Sequence, residues 1–243
     1  IYTNTVPSVV FINEDLTING AGQGVTILDA ENARVGVGVS GATVTMTNLT
    51  IKDGLFAGTG GNLSVSSSSH LQLTDVTIDS GAAQSGGGMA VISTSSADLL
   101  RVTVSNNSAS AGIGIGGGGG IYLGAGATLD VIDSAFTSNT SVGHGGAISA
   151  LQSGNVSIDG STFTGNGTTT GQGGAIVFHS ASATYSVTDT TFSGNTAVIG
   201  GGAISTGDGA TTISGSYFTL NSATGYGGAL MHEETDNLLV TNT

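Results

Sequence analysis

Ile132–Ile148 reads IDSAFTSNTSVGHGGAI, and the same pattern returns downstream. An apolar residue, a short polar turn, Phe, two small residues, Asn, a variable loop and Gly-Gly-Ala-Ile follow in that order. Aligned on Phe, the chain gives Phe136-Thr-Ser-Asn139, Phe163-Thr-Gly-Asn166, Phe192-Ser-Gly-Asn195 and Phe218-Thr-Leu-Asn221. Each is followed by its own glycine pair: Gly145-Gly146, Gly173-Gly174, Gly201-Gly202 and Gly227-Gly228. Upstream the register persists with an aliphatic residue in place of Phe, at Val104-Ser-Asn-Asn107, Ile78-Asp-Ser-Gly81 and Ile51-Lys-Asp-Gly54, and Gly118-Gly119 and Gly86-Gly87 extend the glycine column. Successive members of the Phe column lie 27, 26, 32, 27, 29 and 26 residues apart, a repeat period that implies a solenoid.

The repeat unit is a strand unit. Five positions before each Phe-column residue stands a second apolar column, Met46, Leu73, Leu99, Val131, Ile158, Val187 and Ile213. Runs such as ATVTMTNLTI and LQLTDVTI alternate apolar residues with Thr or Asp, the period-two mark of strands with one buried face. Short strands repeated at this period stack so that each coil hydrogen-bonds its neighbours about 4.8 Å away. Phe then lies on Phe in the bore and Asn on Asn at a corner, where an inward carboxamide can satisfy the next coil's backbone. Glycine pairs suit a corner that needs positive φ or close backbone approach. The expected fold is all-β, a single-stranded right-handed parallel β-helix of about eight coils; the handedness follows the crossover rule for parallel strands.

FxxN paired with GGA[IL], four times each in phase, resembles the repeat of the polymorphic outer-membrane protein family, found in surface-exposed passengers of bacterial autotransporters. The resemblance covers about Asp98 to Leu230 well and the first third in register only. It implies a secreted β-helix with adhesive or display roles, in which the motifs are structural and not catalytic. Neither a carboxy-terminal membrane barrel nor a signal peptide is read in these residues, so membrane anchoring is not expected from them.

Composition narrows the function classes. The chain has 243 residues, 43 of them Gly, no Cys, and a formal charge of −13 from sixteen acidic and three basic residues. The length permits a sizeable core, and the repeat argues for one domain. The absence of Cys excludes disulfides, thiol catalysis and Cys-ligated zinc, and is neutral on compartment. With only Arg34, Lys52 and Arg101 as bases, phosphate neutralisation and hence nucleic-acid binding are not expected. No apolar run of about 18 residues could span a bilayer, and an anionic surface would repel the chain. An acidic, Ser/Thr/Gly-rich composition fits an extracellular or cell-surface location.

Along the chain, residues 1–15 read as a cap or first partial coil, and LTINGAG (Leu16 to Gly22) as the first strand and corner. Ile18, thirty-three residues before Ile51, is assigned to its column. Arg34 to Gly41 and Gly60 to Ser69 read as the loosest parts of the early coils, and Ser108 to Gly120 as a loop that lengthens one coil. No Lys follows that Gly-rich run and no helix pattern succeeds it, so it is not a phosphate loop. Glycine pair and next Phe are separated by 18, 18, 19 and 17 residues, which places the Phe after Gly227 at about 245. Residues 231–243 therefore read as an incomplete last coil, and head-to-tail stacking of copies into a filament is an expected assembly.

No catalytic, cofactor or metal residue is expected. Asp75 and Asp79, four apart in a strand, should share a face, whereas Asp130 and Asp133 should not. The column three before Phe reads Asn48, Asp75, Arg101, Asp133, Gly160, Asp189 and Gly215, mostly turn formers. Arg101, the one base near that column, lies beside Leu99 and Leu100 without an acidic cluster, which weakens a lyase reading. Gly143-His144-Gly145 falls in the glycine corner, where Gln172, Gly200 and Tyr226 precede the other pairs, and so is read as a varying loop position. His144, His179 and His232 occupy different phases and His70 a Ser-rich loop, so they should not assemble a zinc triad by stacking. Surface Asp and backbone carbonyls could take calcium, though no known calcium-loop repeat occurs. Six Asn-x-Ser/Thr sites, at Asn48, Asn62, Asn106, Asn139, Asn155 and Asn166, include inward positions where no glycan fits.

The preferred reading is a non-enzymatic extracellular structural or adhesive solenoid, a surface-protein passenger or a subunit that stacks on itself, whose partners are other copies or a surface ligand. Its first alternative is a polysaccharide-acting β-helix enzyme, lyase or hydrolase, with acids clustered across coils. The second is an ice-binding protein. Thr50, Thr77, Thr103, Thr162 and Thr191 with Thr137, Thr164 and Thr219 are expected to make an outward Thr-rich strip interrupted by Lys52, Asp79 and Tyr217.

Overall fold

The computed structural model describes residues 8–112, 116–152, 154–234 and 236–243. All regular structure among them is strand, and every paired strand is parallel to its neighbour. The strands form about eight coils and three stacked sheets of nine, fifteen and seven strands, called A, B and C below. One coil runs Ser96–Leu100, Thr103–Ser105, Ser108–Ala109 and Ile121–Leu123, contributing twice to B, then once to C and once to A. In two early coils, Thr43–Lys52 and His70–Asp79, the two B segments are continuous, and this fuses them into one fifteen-stranded sheet.

Three left-handed corners that recur along the coils explain most of the punctuation in the sequence; a further one between sheets A and B, as at Ser93, Thr94 and Gly126, occurs in several coils. The first is the column three before Phe, where φ is 54° at Asn48, 53° at Asp75, 52° at Arg101, 49° at Asp133, 56° at Gly160, 46° at Asp189 and 58° at Gly215. The second is the third position of Phe-x-x-Asn, from Asp53 at 55° to Leu220 at 54°. The third is the leading glycine of each pair, for example Gly145 at 60° and Gly201 at 61°. Only the third corner is invariably Gly within the repeat, for a steric reason. A Cβ on Gly145 would stand 2.1 Å from Ile148 O, whereas one on Gly194 in the second corner meets nothing within 4 Å. At the open corners an L-residue meets only the intrinsic cost of the left-handed region, about 1–2 kcal/mol.

The bore is filled by files of like residues. The rings of Phe136 and Phe163, Phe163 and Phe192, and Phe192 and Phe218 stack at 4.5, 5.0 and 4.9 Å between centroids. Met46, Leu73, Leu99, Val131, Ile158, Val187 and Ile213 pair in sequence and are buried. Asn107, Asn139, Asn166 and Asn195 are wholly inaccessible. Each donates its backbone and side-chain N–H to the next carboxamide oxygen: Asn139 N and Nδ2 to Asn166 Oδ1, both 3.0 Å, and Asn166 N and Nδ2 to Asn195 Oδ1, 2.9 and 3.0 Å. Each Nδ2 also reaches back to a carbonyl, as Asn166 does to Phe136 O at 3.0 Å. A parallel hydroxyl file does the same at the first corner, where Val102 N donates to Ser134 Oγ, Ser134 N to Ser161 Oγ and Thr190 N to Ser216 Oγ.

Several sequence expectations are corrected. Ile18 pairs with Met46, and Leu28 occupies the column of Ile51, because the turn around Gly22 to Val25 lengthens the first coil. Arg34 to Gly41 is not loose: Val35–Ser40 is a buried strand of sheet A, with Gly38 directly under the Phe11 ring. Leu63–Ser66 is likewise a strand of A. For residues 1–15, read as a cap or first partial coil, Ser8–Ile12 pairs with Val35–Ser40 as a partial coil would, and residues 1–7 lie outside the described residues. Within the Ser108–Gly120 loop, residues 113–115 lie outside the described residues. Asp75 and Asp79 do not share a face, because the left-handed residue at 75 turns the chain between them. Where Gly54 and Gly81 leave the asparagine file vacant, Asn62 enters from the glycine-pair corner, accepting from Gly54 N at 2.7 Å and donating to Asn107 Oδ1 at 3.2 Å.

Candidate functional site: the outer face of sheet B

Alternation along the longer B strands sends every second side chain outward, and stacking turns these into three rows. The middle row reads Thr45, Gln72, Asp98, Asp130, Ser157, Ser186 and Thr212. The row nearer the corner reads Thr47, Thr74, Leu100, Ile132, Asp159, Thr188 and Ser214, and the far row includes Thr43, His70, Ser96 and Thr128. Between them runs a shallow groove. One stretch of about 510 Å³ lies over Thr45, Gln72, Asp98 and Asp159, and shares Asp130 and Ser157 with a second of about 610 Å³ over Asn155, Ser186 and Thr212. A depression of about 630 Å³ on sheet C is lined mainly by Leu55, Phe56, Ala83, Ala109 and Val142 and carries no titratable group.

The groove's polar groups are linked across coils. Thr45 Oγ1 donates to Gln72 Oε1 at 3.2 Å, and Gln72 Nε2 to Asp98 Oδ2 at 3.4 Å. His70 Nδ1 lies 2.7 Å from Ser96 Oγ, and its Nε2 3.3 Å from Asp98 Oδ2. Burial first, and then the neighbouring Asp98 charge, push the Asp130 carboxyl above the usual carboxylate range. Two adjacent acids, one readier to hold a proton, thus sit in a groove rich in hydroxyls.

Ser96, His70 and Asp98 are the residue types of a nucleophilic triad, and sequence reasoning missed them. They lie on adjacent coils, and the available signal was the 26-residue offset from His70 to Ser96. Acyl transfer also needs free N–H donors at the oxyanion. Here Ser96 N is spent on Ser69 O at 2.9 Å, inside a flat ladder.

A family model described as right handed beta helix region matches residues 8–243. The chain belongs to the right-handed β-helix family. No curated protein and no solved structure is a significant match to it.

In this β-helix the other singled-out residues take structural positions. Arg101 is not apart from acids: its Nε and Nη2 donate to Asp75 Oδ1 and Oδ2, both at 2.8 Å, because the two share the first-corner column one coil apart. Hydrogen bonding from Arg101 holds the Asp75 carboxyl below its ordinary range against desolvation, with a lesser contribution from the Arg101 charge. Asp79 accepts from Ser105 Oγ, Asn106 Nδ2 and Ser80 Oγ at 2.6, 2.9 and 2.9 Å; desolvation raises its carboxyl, and these donors outweigh it. His144 is buried in the glycine corner, its Nδ1 accepting from Gln172 N at 3.3 Å. His232 stands in the column of Phe178 and Thr206, His179 one position later, and the three histidines form no triad. The Thr-rich strip is present as two rows, Thr77, Thr103, Ala135, Thr162, Thr191 and Tyr217 beside Asp79, Ser105, Thr137, Thr164, Ser193 and Thr219. Asn139 and Asn166 are fully buried, as the inward reading requires. No described helix is long and apolar enough to cross a membrane.

Proposed function

We propose that this β-helix is a non-catalytic extracellular scaffold of adhesive type, a surface-protein passenger akin to the polymorphic outer-membrane repeat, that holds an extended hydroxyl-rich polymer along the groove of sheet B. The observation that carries this reading is the continuity of the groove over successive coils, with Thr, Gln, Ser and Asp at one side-chain pitch. A regular row of donors and acceptors suits a repeating ligand laid along it. Arg101, the base a lyase would use near this face, is engaged at both ends of its guanidinium by Asp75. The last described coil ends all three sheets, so its strands Tyr217–Thr219, Ser222–Ala223, Leu230–His232 and Leu238–Thr241 offer the edge on which a further coil, of this chain or of another copy, would pair.

The test is a panel of acidic and neutral polysaccharides, scored for binding by affinity electrophoresis and for cleavage by reducing ends and unsaturated products, with calcium present. Retention of at least one polymer without cleavage, weakened by Gln72→Ala with Ser157→Ala, supports the proposal. Cleavage that is lost in Asp98→Asn or Asp130→Asn installs the alternative instead, a polysaccharide-acting enzyme, which the raised proton affinity of Asp130 beside Asp98 favours.

A further inference from the structure

The end of sheet A carries a second polar cluster, on the opposite arm of the coil from the groove. The position just after each A strand is filled by Ile92, Gly124, Leu151, His179, Gly207 and Glu233 in successive coils, following the register of Val91, Leu123, Ala150, Phe178, Thr206 and His232. Early in the file the large members are aliphatic, and Ile92 lies over Gly124, where a Cβ would stand 2.9 Å from Ile92 Cγ2. His179 takes the same place over Gly207, where a Cβ would come within 2.8 Å of His179 Cδ2 and Nε2. The glycine leaves a cradle in which the imidazole lies flat on the next coil's backbone. Its edge is thereby delivered to the following position, which reads Ser180, Asp208 and Glu234.

His179 Nε2 lies 3.4 Å from Asp208 Oδ2, and one ligand atom each from His179, Asp208 and Glu234 fall within 4.8 Å of one another. Three consecutive coils thus contribute one donor apiece to one point. The loop that brings Glu234 is fastened on both sides: Gln172 Nε2 donates to Glu233 Oε2 at 2.8 Å, Gly209 N to Asp236 Oδ2 at 2.7 Å, and His232 bridges Thr206 Oγ1 and Asp236 O at 2.9 and 3.0 Å. No Lys or Arg follows Arg101 in the sequence, while Asp208, Glu233, Glu234 and Asp236 all do, so no Lys or Arg from these coils offsets their charge. Near them stands His144, 8% exposed, whose Nδ1 is taken by Gln172 N and whose Nε2 has no hydrogen-bond partner among the described residues. Burial first, and then nearby His179, hold that imidazole below its ordinary range, with Glu233 acting the other way.

We propose that His179, Asp208 and Glu234 form a binding site for a divalent transition-metal ion of the zinc type, which clips three coils together at the end of sheet A. One nitrogen and two carboxylate oxygens suit zinc better than calcium, which favours oxygen donors throughout. Bonds of about 2.0–2.2 Å place tetrahedral ligand atoms roughly 3.3 Å apart, so the His179–Asp208 pair is already at that spacing and Glu234 closes by side-chain rotation. The fourth position is left to water. The proposal does not depend on what the groove of sheet B binds.

The test uses the full chain freed of metal by chelator and dialysed against zinc chloride, with calcium chloride in parallel, the bound metal counted by mass spectrometry and the affinity taken by titration calorimetry. Cobalt(II) supplies a visible spectrum that reports ligand geometry. One zinc per chain at micromolar affinity, a rise in unfolding temperature with zinc and not with calcium, and a loss of affinity of roughly tenfold or more in Asp208→Asn and His179→Ala are expected. His70→Ala, which removes the half-buried imidazole of the groove, should bind zinc as the parent does. Absence of saturable binding below millimolar zinc, or equal affinity in Asp208→Asn and the parent, overturns the site. Should His179→Ala fold poorly, Asp208→Asn, which keeps the shape, carries the decision alone.

Discussion

Replacing Asn166 by Asp changes one nitrogen to oxygen and tests whether the asparagine file is held by its hydrogen-bond directions. The carboxyl oxygen still accepts from Asn139 N and Nδ2, but of the two donations from Asn166 Nδ2, to Phe136 O and Asn195 Oδ1, an ionised acid can make neither and a protonated one only one. An ionised carboxylate there would be fully buried and would face two acceptors at 3.0 Å, so the folded protein should keep it protonated. An unperturbed Asp ionises near pH 3.9, so holding the proton at pH 7 costs about 1.36 kcal/mol for each of roughly 3 pH units, about 4 kcal/mol in all. The protonated acid has one donor where the amide has two, which adds about 1–3 kcal/mol at any pH. With the folded pKa above the unfolded one, the difference from the parent should be smallest below about pH 4 and grow as pH rises toward the folded pKa. Urea denaturation followed by circular dichroism at pH 4 and pH 7, for parent and Asn166→Asp together, measures it. A difference at pH 7 of under about 0.5 kcal/mol, or one that does not shrink on acidification, would refute the reasoning.

Truncating Phe163, stacked at 4.5 and 5.0 Å between Phe136 and Phe192, should destabilise by about 3–5 kcal/mol as Ala and distinctly less as Leu, read from the same denaturation curves. Gly201→Ala should cost more than Gly194→Ala although both have positive φ, since the first Cβ would stand 2.3 Å from Ile204 O and the second meets nothing within 4 Å; equal thermal shifts would defeat the steric account of the third corner. The Asp130 carboxyl should titrate above an ordinary Asp, and Asp98→Asn should lower its midpoint by removing the neighbouring charge, both followed by carbon NMR of the side chain. Its raised pKa makes charging it a cost that sets in as pH rises past the unfolded value, so Asp130→Asn should stabilise at neutral pH and be without that benefit in acid.

The parts of the fold legible in the sequence are those enforced once per coil. Phe136 to Phe218, Asn107 to Asn221 and the glycine pairs recur because identical environments recur, so spacing alone revealed their files. Where one coil differs from the rest, spacing misleads: Ile18 was a column out because of the extra turn before Leu28. Asn62 was invisible as a file member because it fills the same volume from another arm of the coil. Val35–Ser40 looked loose because Gly36 and Gly38 carry no pattern, although they make room for Asn62 and Phe11. Sites were less legible than fold for a related reason. His70 with Ser96 and Asp98, Asp75 with Arg101, and His179 with Asp208 and Glu234 are all contacts between coils, so their partners are a full period away and none forms a local motif. The column three before Phe already set Arg101 next to Asp75, and extending the same array to the other columns would have placed Ser96 over His70.

The carboxamides at the core corner all point one way, each oxygen receiving N–H groups from the coil before it. The rod therefore has a chemical polarity like that of an arrow. Asn221 at the outer rim presents the same backbone N–H that Asn195 beneath it gives to Asn221 Oδ1. Any layer laid on that rim extends the row only if it brings a side-chain oxygen of its own to that spot, and an inverted layer would bring its donors instead. Were a further layer added there, it would thus have one favoured direction, with tail-to-tail joints disfavoured at the innermost atoms.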